Sequence, residues 1–563
     1  VSSHIDRCND YARGVVAGKI PAAKYIRLAC QKHIDDLKLS KKKEFKYKFD
    51  NDAASKACEF IELFPHVKGK WARTLERIVL EPWQCFILCN IFGWLRKSDK
   101  RRRYRSAYIK VPRKNGKSML AAGIGLYMLL ADKEPGAEIY SGATTEKQAW
   151  ETFRPAKDML VKTPNALQYF GVEVFAKSIS SAKTGSRFEP VIGKPGDGSS
   201  PHCCLVDEYH EHDTPDLYNT METGMGAREQ PLMLVITTAG FNLAGPCYEK
   251  ETELKRVLDG VVDNPELFGM IYGIDDEDDW SDPASLRKAN PNYGVSVDAE
   301  FLESAQRQAL QNPVQQNRFK TKHLNVWCSA RAAWMNMQLW HLAGDPLLTI
   351  DELAGEECWF GIDLASKTDL CTLQILFRKQ LAGEDHYYLF GRYWLPEDTV
   401  NEPGINHASY VKWQKQGVLT VTDGATVDFE QVTEEVVELM KRLNPAEVVF
   451  DPFNATQMSQ NLMAAGGTTV EFTQTPQNFA LPMDEILSML KANRLHHDGN
   501  EMTTWCMSNV VGRIARKGLL APTKERPENK IDGAVAAIMA MSRPISSDPK
   551  PFVIDSTYQI LMV

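Results

Sequence analysis

Eight residues, VPRKNGKS (Val111–Ser118), lie between a run that reads as a strand and one that reads as a helix. Gly116, Lys117 and Ser118 complete the second half of the phosphate-loop pattern GxxxxGK[ST], while Val111 stands where its leading glycine would be. The chemistry survives that change. Backbone N–H groups at a helix N-terminus cradle phosphates, a lysine at position 117 bridges the β- and γ-phosphates, and the Ser118 hydroxyl can ligate Mg²⁺. Arg113, Lys114 and Asn115 complete the loop as candidate nucleotide-binding residues, with Arg113 placed to reach a γ-phosphate as an arginine finger does. About 90 residues later an apolar run, CCLV, leads into Asp207 and Glu208. A strand ending in Asp-Glu supplies what the loop lacks: Asp207 to hold Mg²⁺, and Glu208 to orient and deprotonate the attacking water. Together the two segments point to ATP hydrolysis.

Two smaller features extend this set. Thr237 and Thr238 end the next apolar run, where a polar residue senses the γ-phosphate and couples its loss to motion. Upstream, Gln84 in EPWQ (Glu81–Gln84) could read adenine through two hydrogen bonds. Arg187 and Arg228 are further arginine candidates, expected to be structural. His210 and His212 follow Glu208 closely and are read as loop histidines rather than a metal site.

A second chemistry is written in three separated aspartates. Asp363 ends the apolar run in GIDLASKTDL, Asp451 ends another in VVFDPFNA, and Asp532 opens a helix-like run in NKIDGAVAAIMA. A carboxylate beside apolar neighbours is costly unless it is paired or binds a cation. Three converging carboxylates form a hard oxygen site suited to Mg²⁺ or Mn²⁺. Two such ions about 4 Å apart activate water and stabilise the leaving oxygen in phosphodiester cleavage. Lys367 and Asp369 lie close enough in sequence to assist, without an assignable role.

These residues need elements that bring them together. Strands are expected at Ser106–Val111, Ala137–Ala143, His202–Asp207 and Leu232–Thr238, alternating with helices such as Ser118–Ala131, which predicts a largely parallel sheet with crossover helices. The stretch from Phe241 to Asn325 reads as mostly helical and polar. Residues 326–355, rich in Trp, Ala and Met, read as a connecting segment. A second alternating region follows, with strands at Cys358–Leu364, Leu370–Phe377, His386–Trp394 and Ala446–Asp451 and a last helix near Ile531–Met541. Its strand–hairpin–strand start matches a ribonuclease H-like sheet. The domains expected are a motor over 1–325, a linker over 326–355, a nuclease over 356–545 and a tail over 546–563. The motor would comprise a helical N-terminal part, a core at about 80–245 and a helical part at about 246–325.

Composition sets outer limits. The chain has 563 residues, 43% hydrophobic and 25% charged, which excludes a mainly disordered or collagen-like chain. No apolar stretch is long enough to predict a membrane span, and the first residues lack the apolar core of a secretory signal. Twelve scattered cysteines without a CxxC pair predict reduced, buried thiols. The net charge of −7 does not suggest a nucleic-acid binder overall, yet residues 1–50 hold 12 Lys/Arg against 6 Asp/Glu. The run RKSDKRRRYRS (Arg96–Ser106) has seven basic residues and one acidic. Such runs are solvated loops or contacts to a phosphate backbone.

A phosphate loop of this variant form followed by an aspartate trio resembles the large terminase subunit of tailed bacteriophages. EPWQ, VPRKNGKS, GATTEKQA (Gly142–Ala149), CCLVDE, ITTAG (Ile236–Gly240), GIDLASKTD, FDPFNA and KIDGAVA carry the resemblance in family order over nearly the whole chain. The loop is most similar to those of phages that cut at cohesive-end sites, where loss of the leading glycine is usual. The resemblance implies an α/β chain: an N-terminal P-loop ATPase of the RecA/ASCE-like kind with a parallel sheet, and a C-terminal ribonuclease H-like nuclease with a mixed sheet. It implies a motor that uses ATP and Mg²⁺ to pump double-stranded DNA into a procapsid. It also implies a nuclease that uses two Mg²⁺ or Mn²⁺ to cut concatemeric DNA. By position, Lys117, Ser118, Asp207 and Glu208 would bind and hydrolyse ATP, Gln84 would contact adenine and Thr237–Thr238 would couple hydrolysis to movement. Asp363, Asp451 and Asp532 would bind the nuclease metals. Implied partners are the portal protein, a small terminase subunit and further copies in a ring, commonly of five, with no membrane. The implied location is the cytoplasm of the infected bacterium, transiently at the procapsid portal vertex and not in the mature virion. The rival reading is an ATP-dependent helicase-nuclease of DNA repair, for which the C-terminal half offers no second RecA-like domain.

Overall fold

The structure, a computed structural model, describes residues 3–192, 198–243, 245–328, 334–364, 369–402, 404, 406–452, 456–514 and 519–546. Lys367, part of FDPFNA and the tail beyond 546 lie outside them. The chain divides into two compact units, Val1–Gln311 with Arg318–Cys328, and Asn312–Asn317 with Ser329–Val563.

The first unit holds strands β1 (Tyr47–Phe49), β2 (Trp94–Arg96), β3 (Ser106–Lys110), β4 (Glu138–Ala143), β5 (Val172–Val174), β6 (Ile179–Ser181), β7 (Ser186–Ile192), β8 (Pro201–Asp207), β9 (Leu232–Thr237) and β10 (Leu267–Ile271). β1 and β2 form a separate ribbon, and the other eight form one sheet in the order β10-β3-β9-β8-β4-β7-β6-β5. From β10 to β7 every pair is parallel. β8 and β9 are buried along their whole length. Their unbroken apolar runs are what a strand covered on both faces requires. Parallel pairing sets the strand ends side by side, with Lys110 opposite Thr237 and Asp207 opposite Ile236. Ligands of such sheets bind beyond these carboxyl ends.

The stretch read as mostly helical between Phe241 and Asn325 proves to contain β10, which caps the sheet beside β3. Its residues LFGMI are all buried. Five apolar residues are too short a run to separate strand from buried helix by periodicity, and only the vacant edge of β3 decides between them.

The second unit holds β11 (Glu357–Asp363), β12 (Cys371–Leu381), β13 (Glu384–Pro396), β14 (Thr420–Thr422), β15 (Glu447–Phe450), β16 (Thr469–Glu471), β17 (Leu495–His497), β18 (Val510–Ile514) and β19 (Leu520–Lys524). Seven of them form a mixed sheet, β14-β13-β12-β11-β15-β16 with β17 also on β13. β11–β12–β13 is an antiparallel meander, and β15 returns parallel to β11. The helix Asp532–Ser546 lies on β11, and Gly361 is what lets it come so close. A Cβ there would collide with the Ala536 carbonyl oxygen and stand 2.9 Å from the Ala540 nitrogen. Backbone cannot move aside as a side chain can, so Gly361→Ala is expected to destabilise this unit by about 3 kcal/mol. Its urea midpoint should fall accordingly, and an unchanged midpoint would contradict the packing described.

The segment 326–355, read as a linker, is from Trp334 onwards part of this unit's core. Trp340 is buried, donates Nε1–H to Thr504 Oγ1 at 3.1 Å and stacks on His497 with ring centroids 4.1 Å apart. Its Trp and Met residues are buried apolar mass, which composition alone does not distinguish from an unstructured connection.

All twelve cysteines are unbridged, and all but the half-buried Cys328 are buried. Among the described residues no helix is long and apolar enough to cross a membrane.

Candidate functional site

The phosphate loop leaves β3 and enters the helix Lys117–Leu130. Lys114 (φ 70°) and Gly116 (φ 85°) both adopt left-handed backbone, which turns the loop back over the helix N-terminus. Lys117 is buried, and its Nζ donates to the Val111 carbonyl at 3.1 Å. Asn115 is the loop's internal brace. Its Nδ2 donates to the Pro112 carbonyl at 3.2 Å and to Asn290 Oδ1 at 2.9 Å, and its Oδ1 accepts the Asn292 N–H at 3.0 Å. Ser296 donates to the Lys114 carbonyl at 2.8 Å. The segment NPNYG (Asn290–Gly294) therefore clamps the loop from outside.

Asp207 and Glu208 follow β8 directly. Asp207 accepts the Thr152 hydroxyl at 2.7 Å and the Glu208 N–H at 2.9 Å. Burial, with the Glu208 charge beside it, pushes the Asp207 carboxyl up to about 6. Glu208 has φ 48°, an uncommon conformation for a residue with a side chain. Burial opposes its charge, but Lys117, His210, Lys322 and Arg113 outweigh that and hold it below the ordinary glutamate value. Its Oε2 is buried without a hydrogen-bond partner among the described residues. His210 Nδ1 lies 3.2 Å from that oxygen but makes its hydrogen bond with Thr237 Oγ1, at 3.0 Å. An ionised carboxylate with a vacant oxygen fits a site built to grip a water or a cation.

Thr237 and Thr238 are fully buried and face His210. The next residue, Ala239, donates its N–H to Asn325 Oδ1 at 2.7 Å, and Asn325 in turn donates to the Tyr272 carbonyl at 2.6 Å. Gln84 lies under the loop. Its Oε1 accepts the Glu81 N–H at 2.9 Å as part of a helix cap, and its Nε2 is the nearest atom to where a Gly116 Cβ would stand. Arg113 is exposed on the loop. Arg187 pairs with Glu138 and Tyr140, and Arg228 binds the carbonyls of Ser200 and Gly136, so both are structural. His212 packs edge-on against Tyr209.

Lys322 has no counterpart in the sequence reading. It comes from the helix Pro313–His323 and is buried, with Nζ 3.1 Å from His210 Nε2. Its own carbonyl accepts the Arg113 N–H at 3.1 Å. Burial, together with the Arg113 charge, pulls its ammonium down to about 8, while Glu208 and Glu211 oppose the shift. A lone lysine in NRFKTKH carries no motif, so no signal marked it. Lys322→Ala is expected to slow ATP hydrolysis about tenfold by removing positive charge from the place where phosphate charge develops. Nucleotide binding should persist, and Lys322→Arg should restore part of the rate. An unchanged kcat in the alanine variant would remove Lys322 from the site.

The second site lies at the carboxyl ends of β11 and β15. Ile362 pairs with Phe450, so Asp363 and Asp451, each one residue further on, sit on neighbouring parallel strands. Asp532 is the first residue of the helix that crosses β11. Burial pushes the Asp363 carboxyl well above its ordinary value, and the charges of Asp532, Asp451 and Asp369 push it the same way. Gln474 hydrogen-bonds it and opposes the shift. Burial and Asp369 push Asp532 up to about 6 against the pull of Lys530 and Lys524, and its Oδ2 is buried without a hydrogen-bond partner among the described residues. Asp369 pairs with Lys530 at 2.6 Å. Among the described residues no three His, Cys, Asp or Glu side chains stand close enough to enclose an ion as placed. Mutual repulsion between like charges is reason enough for carboxyls to stand apart. Hard oxygen donors crowded around Asp363, with one Asp532 oxygen left vacant, fit divalent cations.

The comparisons with known proteins also find two domains, with a boundary earlier in the chain than that between the structural units. A family model described as terminase large subunit, ATPase domain, matches residues 82–256, and one described as terminase large subunit, endonuclease domain, matches residues 261–548. The chain is 48% identical over 356 residues to Protein YmfN of Escherichia coli K12, covering 62% of this chain and 78% of that protein. It is 26% identical over 448 residues to the large terminase subunit of Enterobacteria phage HK97, covering 77% of this chain and 86% of that one. The crystal structure of the HK97 large terminase matches with a TM-score of 0.42 at 24% identity, over 87% of this chain and 99% of that chain. The endonuclease match begins before β10, so it includes Lys322 and Asn325, which the structure places in the first unit.

Proposed function

Because the chain belongs to the terminase large-subunit family and carries its ATPase and endonuclease domains, we propose that it drives double-stranded viral DNA into a procapsid by ATP hydrolysis and cuts concatemeric DNA when packaging starts and ends. Family membership displaces the helicase-nuclease alternative. The observation that carries the reading is the pairing of two strand-end carboxylate sites, Asp207–Glu208 and Asp363–Asp451–Asp532, in one chain.

In the motor, backbone N–H groups from Lys114 to Ser118 receive the nucleotide phosphates, Lys117 neutralises their charge, and Asn115 holds the loop in shape. Gln84 contributes its amide on the adenine side, under the loop. Ser118 and Asp207 would hold Mg²⁺, which when bound offsets phosphate charge. Glu208, kept anionic by Lys117 and its cationic neighbours, takes the proton of the attacking water. Arg113 and Lys322 stabilise the charge that develops on the γ-phosphate. Loss of that charge is read at Thr237 and Thr238 through His210 and passed along Ala239 to Asn325. In the nuclease, Asp363, Asp451 and Asp532 would hold two Mg²⁺ or Mn²⁺, which when bound would supply Lewis-acid chemistry for phosphodiester cleavage. Asp369, tethered by Lys530, shapes the charge around Asp363.

The chain works as a ring of copies, five in number, on the portal protein, with a small terminase subunit choosing the site. Its place is the cytoplasm of the infected bacterium and, transiently, the portal vertex, and it is absent from the mature virion. The test is a packaging reaction with purified procapsids bearing the portal, linear DNA and ATP, followed by DNase. Protected DNA that requires ATP supports the proposal. ATP hydrolysis and DNA cutting without protection would leave the two enzyme activities and reject the motor.

A further inference from the structure

Two basic runs far apart in sequence meet on one surface of the first unit. β1 pairs antiparallel with β2, with Tyr47 opposite Arg96. The Lys97 N–H donates to the Lys46 carbonyl at 2.9 Å, and Lys97 Nζ donates to the Lys42 carbonyl at 2.6 Å. These bonds draw the loop 41–46 against the loop 97–101.

The structure separates the charges already neutralised from those left over. Arg102 is buried against Asp132, and Arg103 against Asp36 with its guanidinium over the Tyr47 ring. Arg96 pairs with Asp99, and Arg101 with Glu229. Lys41, Lys42, Lys43, Lys46, Lys48 and Lys100 are exposed, and among the described residues none of them has an ion pair. The exposed acids among them are Glu44 and Asp99, the latter already paired with Arg96.

This is a platform rather than a loose tail. Phe45, Tyr47 and Phe49 pack against the core, and the Phe49 and Trp94 ring centroids lie 5.3 Å apart. A chain of net charge −7 that holds six unpaired lysines side by side on anchored backbone keeps like charges together against their repulsion. A polyanion relieves that repulsion. Lysine is a compact point charge without the planar fork that reads carboxylates or base edges, which suits contact with phosphates irrespective of sequence.

We propose that the β1–β2 ribbon and its two lysine-bearing loops form a docking surface for the phosphate backbone of duplex DNA. It rests on the reading that the chain handles duplex DNA, and it lies outside both carboxylate sites.

The test is binding of a fluorescein-labelled 30-base-pair duplex of mixed sequence to the full chain, by anisotropy, in EDTA without nucleotide, between about 50 and 200 mM KCl. The chain carrying Lys41→Gln, Lys42→Gln, Lys43→Gln and Lys46→Gln is expected to bind at least about tenfold more weakly, with a salt slope lower by about 3.6. Lys48→Gln with Lys100→Gln, on β1 and the loop after β2, should lower it by about 2. Thermal midpoints and ATPase rates without DNA should match the parent, showing that folding is intact. Exposed lysines elsewhere on the unit (Lys147→Gln, Lys162→Gln, Lys183→Gln) should leave Kd and slope near the parent's. Equal losses in that control, or unchanged binding in both ribbon variants, overturn the proposal. A parent chain that binds no duplex at any salt overturns it together with the DNA-handling reading, so the two failures are distinguishable.

Discussion

Glu208→Gln should leave a folded chain that binds ATP and turns it over at least about 10²-fold more slowly, the usual worth of a positioned general base. The amide keeps the shape of the side chain and loses the site for the proton. The structure sharpens the expectation, because Glu208 is held below its ordinary value by Lys117 and its cationic neighbours. It therefore stays ionised through the neutral range, and the parent rate should not fall between pH 7 and pH 6 through protonation of this group. Removing its charge also removes the Coulombic support of Lys117, whose ammonium burial pulls down. ATP binding, measured with a fluorescent analogue, should weaken far less than hydrolysis. Plasmid cutting by the second unit should be unaffected. Hydrolysis within about threefold of the parent would assign the base elsewhere, since that loss lies far below what a general base contributes.

Asp363→Asn should abolish Mn²⁺-dependent cutting of supercoiled plasmid, a loss of at least about 10²-fold, and spare ATP hydrolysis. The same substitution has an opposite effect on stability when metal is withheld. Asp363 is pushed well above its ordinary value and Asp532 up to about 6, whereas an unfolded aspartate titrates near 4. The folded unit then binds more protons than the unfolded one, so its stability declines as pH rises from about 4 through about 6, where Asp532 ionises, and declines further as Asp363 loses its proton. In EDTA the parent's second unit should thus melt higher at pH 5 than at pH 7.5. At pH 7.5 in EDTA, Asp363→Asn should melt above the parent, because one of the repelling buried charges is gone. Added Mg²⁺ should raise the parent's midpoint and leave the variant's nearly unmoved. A variant that melts below the parent in EDTA would mean that the carboxyls are not in conflict.

Much of both sites was legible in the residues. GKS before an apolar helix and Asp-Glu after an apolar strand are local patterns, because a phosphate cradle and its carboxylates need particular side chains at the ends of particular elements. Each aspartate of the trio is marked in the same way, by its position at the end of an apolar run or the start of one. Parallel pairing of β3, β9 and β8 follows from alternating strands and helices, so the ends that carry Val111, Thr237 and Asp207 had to share an edge.

Other features had no local signature. Lys322, Asn290, Asn292 and Asn325 are ordinary polar residues in a polar stretch, and their contacts with the first site come from β10 joining the sheet and bringing that stretch back over the loop. Trp340 looked like connecting chain because burial depends on what packs against a residue. Arg102 and Arg103 stood in one basic run with Lys100, and only the fold sent two inward to Asp132 and Asp36 while leaving the lysine in solvent. The sequence by itself determined which chemical groups are present and which elements carry them, since those depend on neighbours a few residues away. The tertiary structure decided which charges meet, which are buried and which face water, because Coulomb and desolvation energies depend on distance in space, and the chain brings Tyr11 to 3.0 Å from Tyr272 and Trp83 to 2.6 Å from Asn292, residues more than two hundred positions apart.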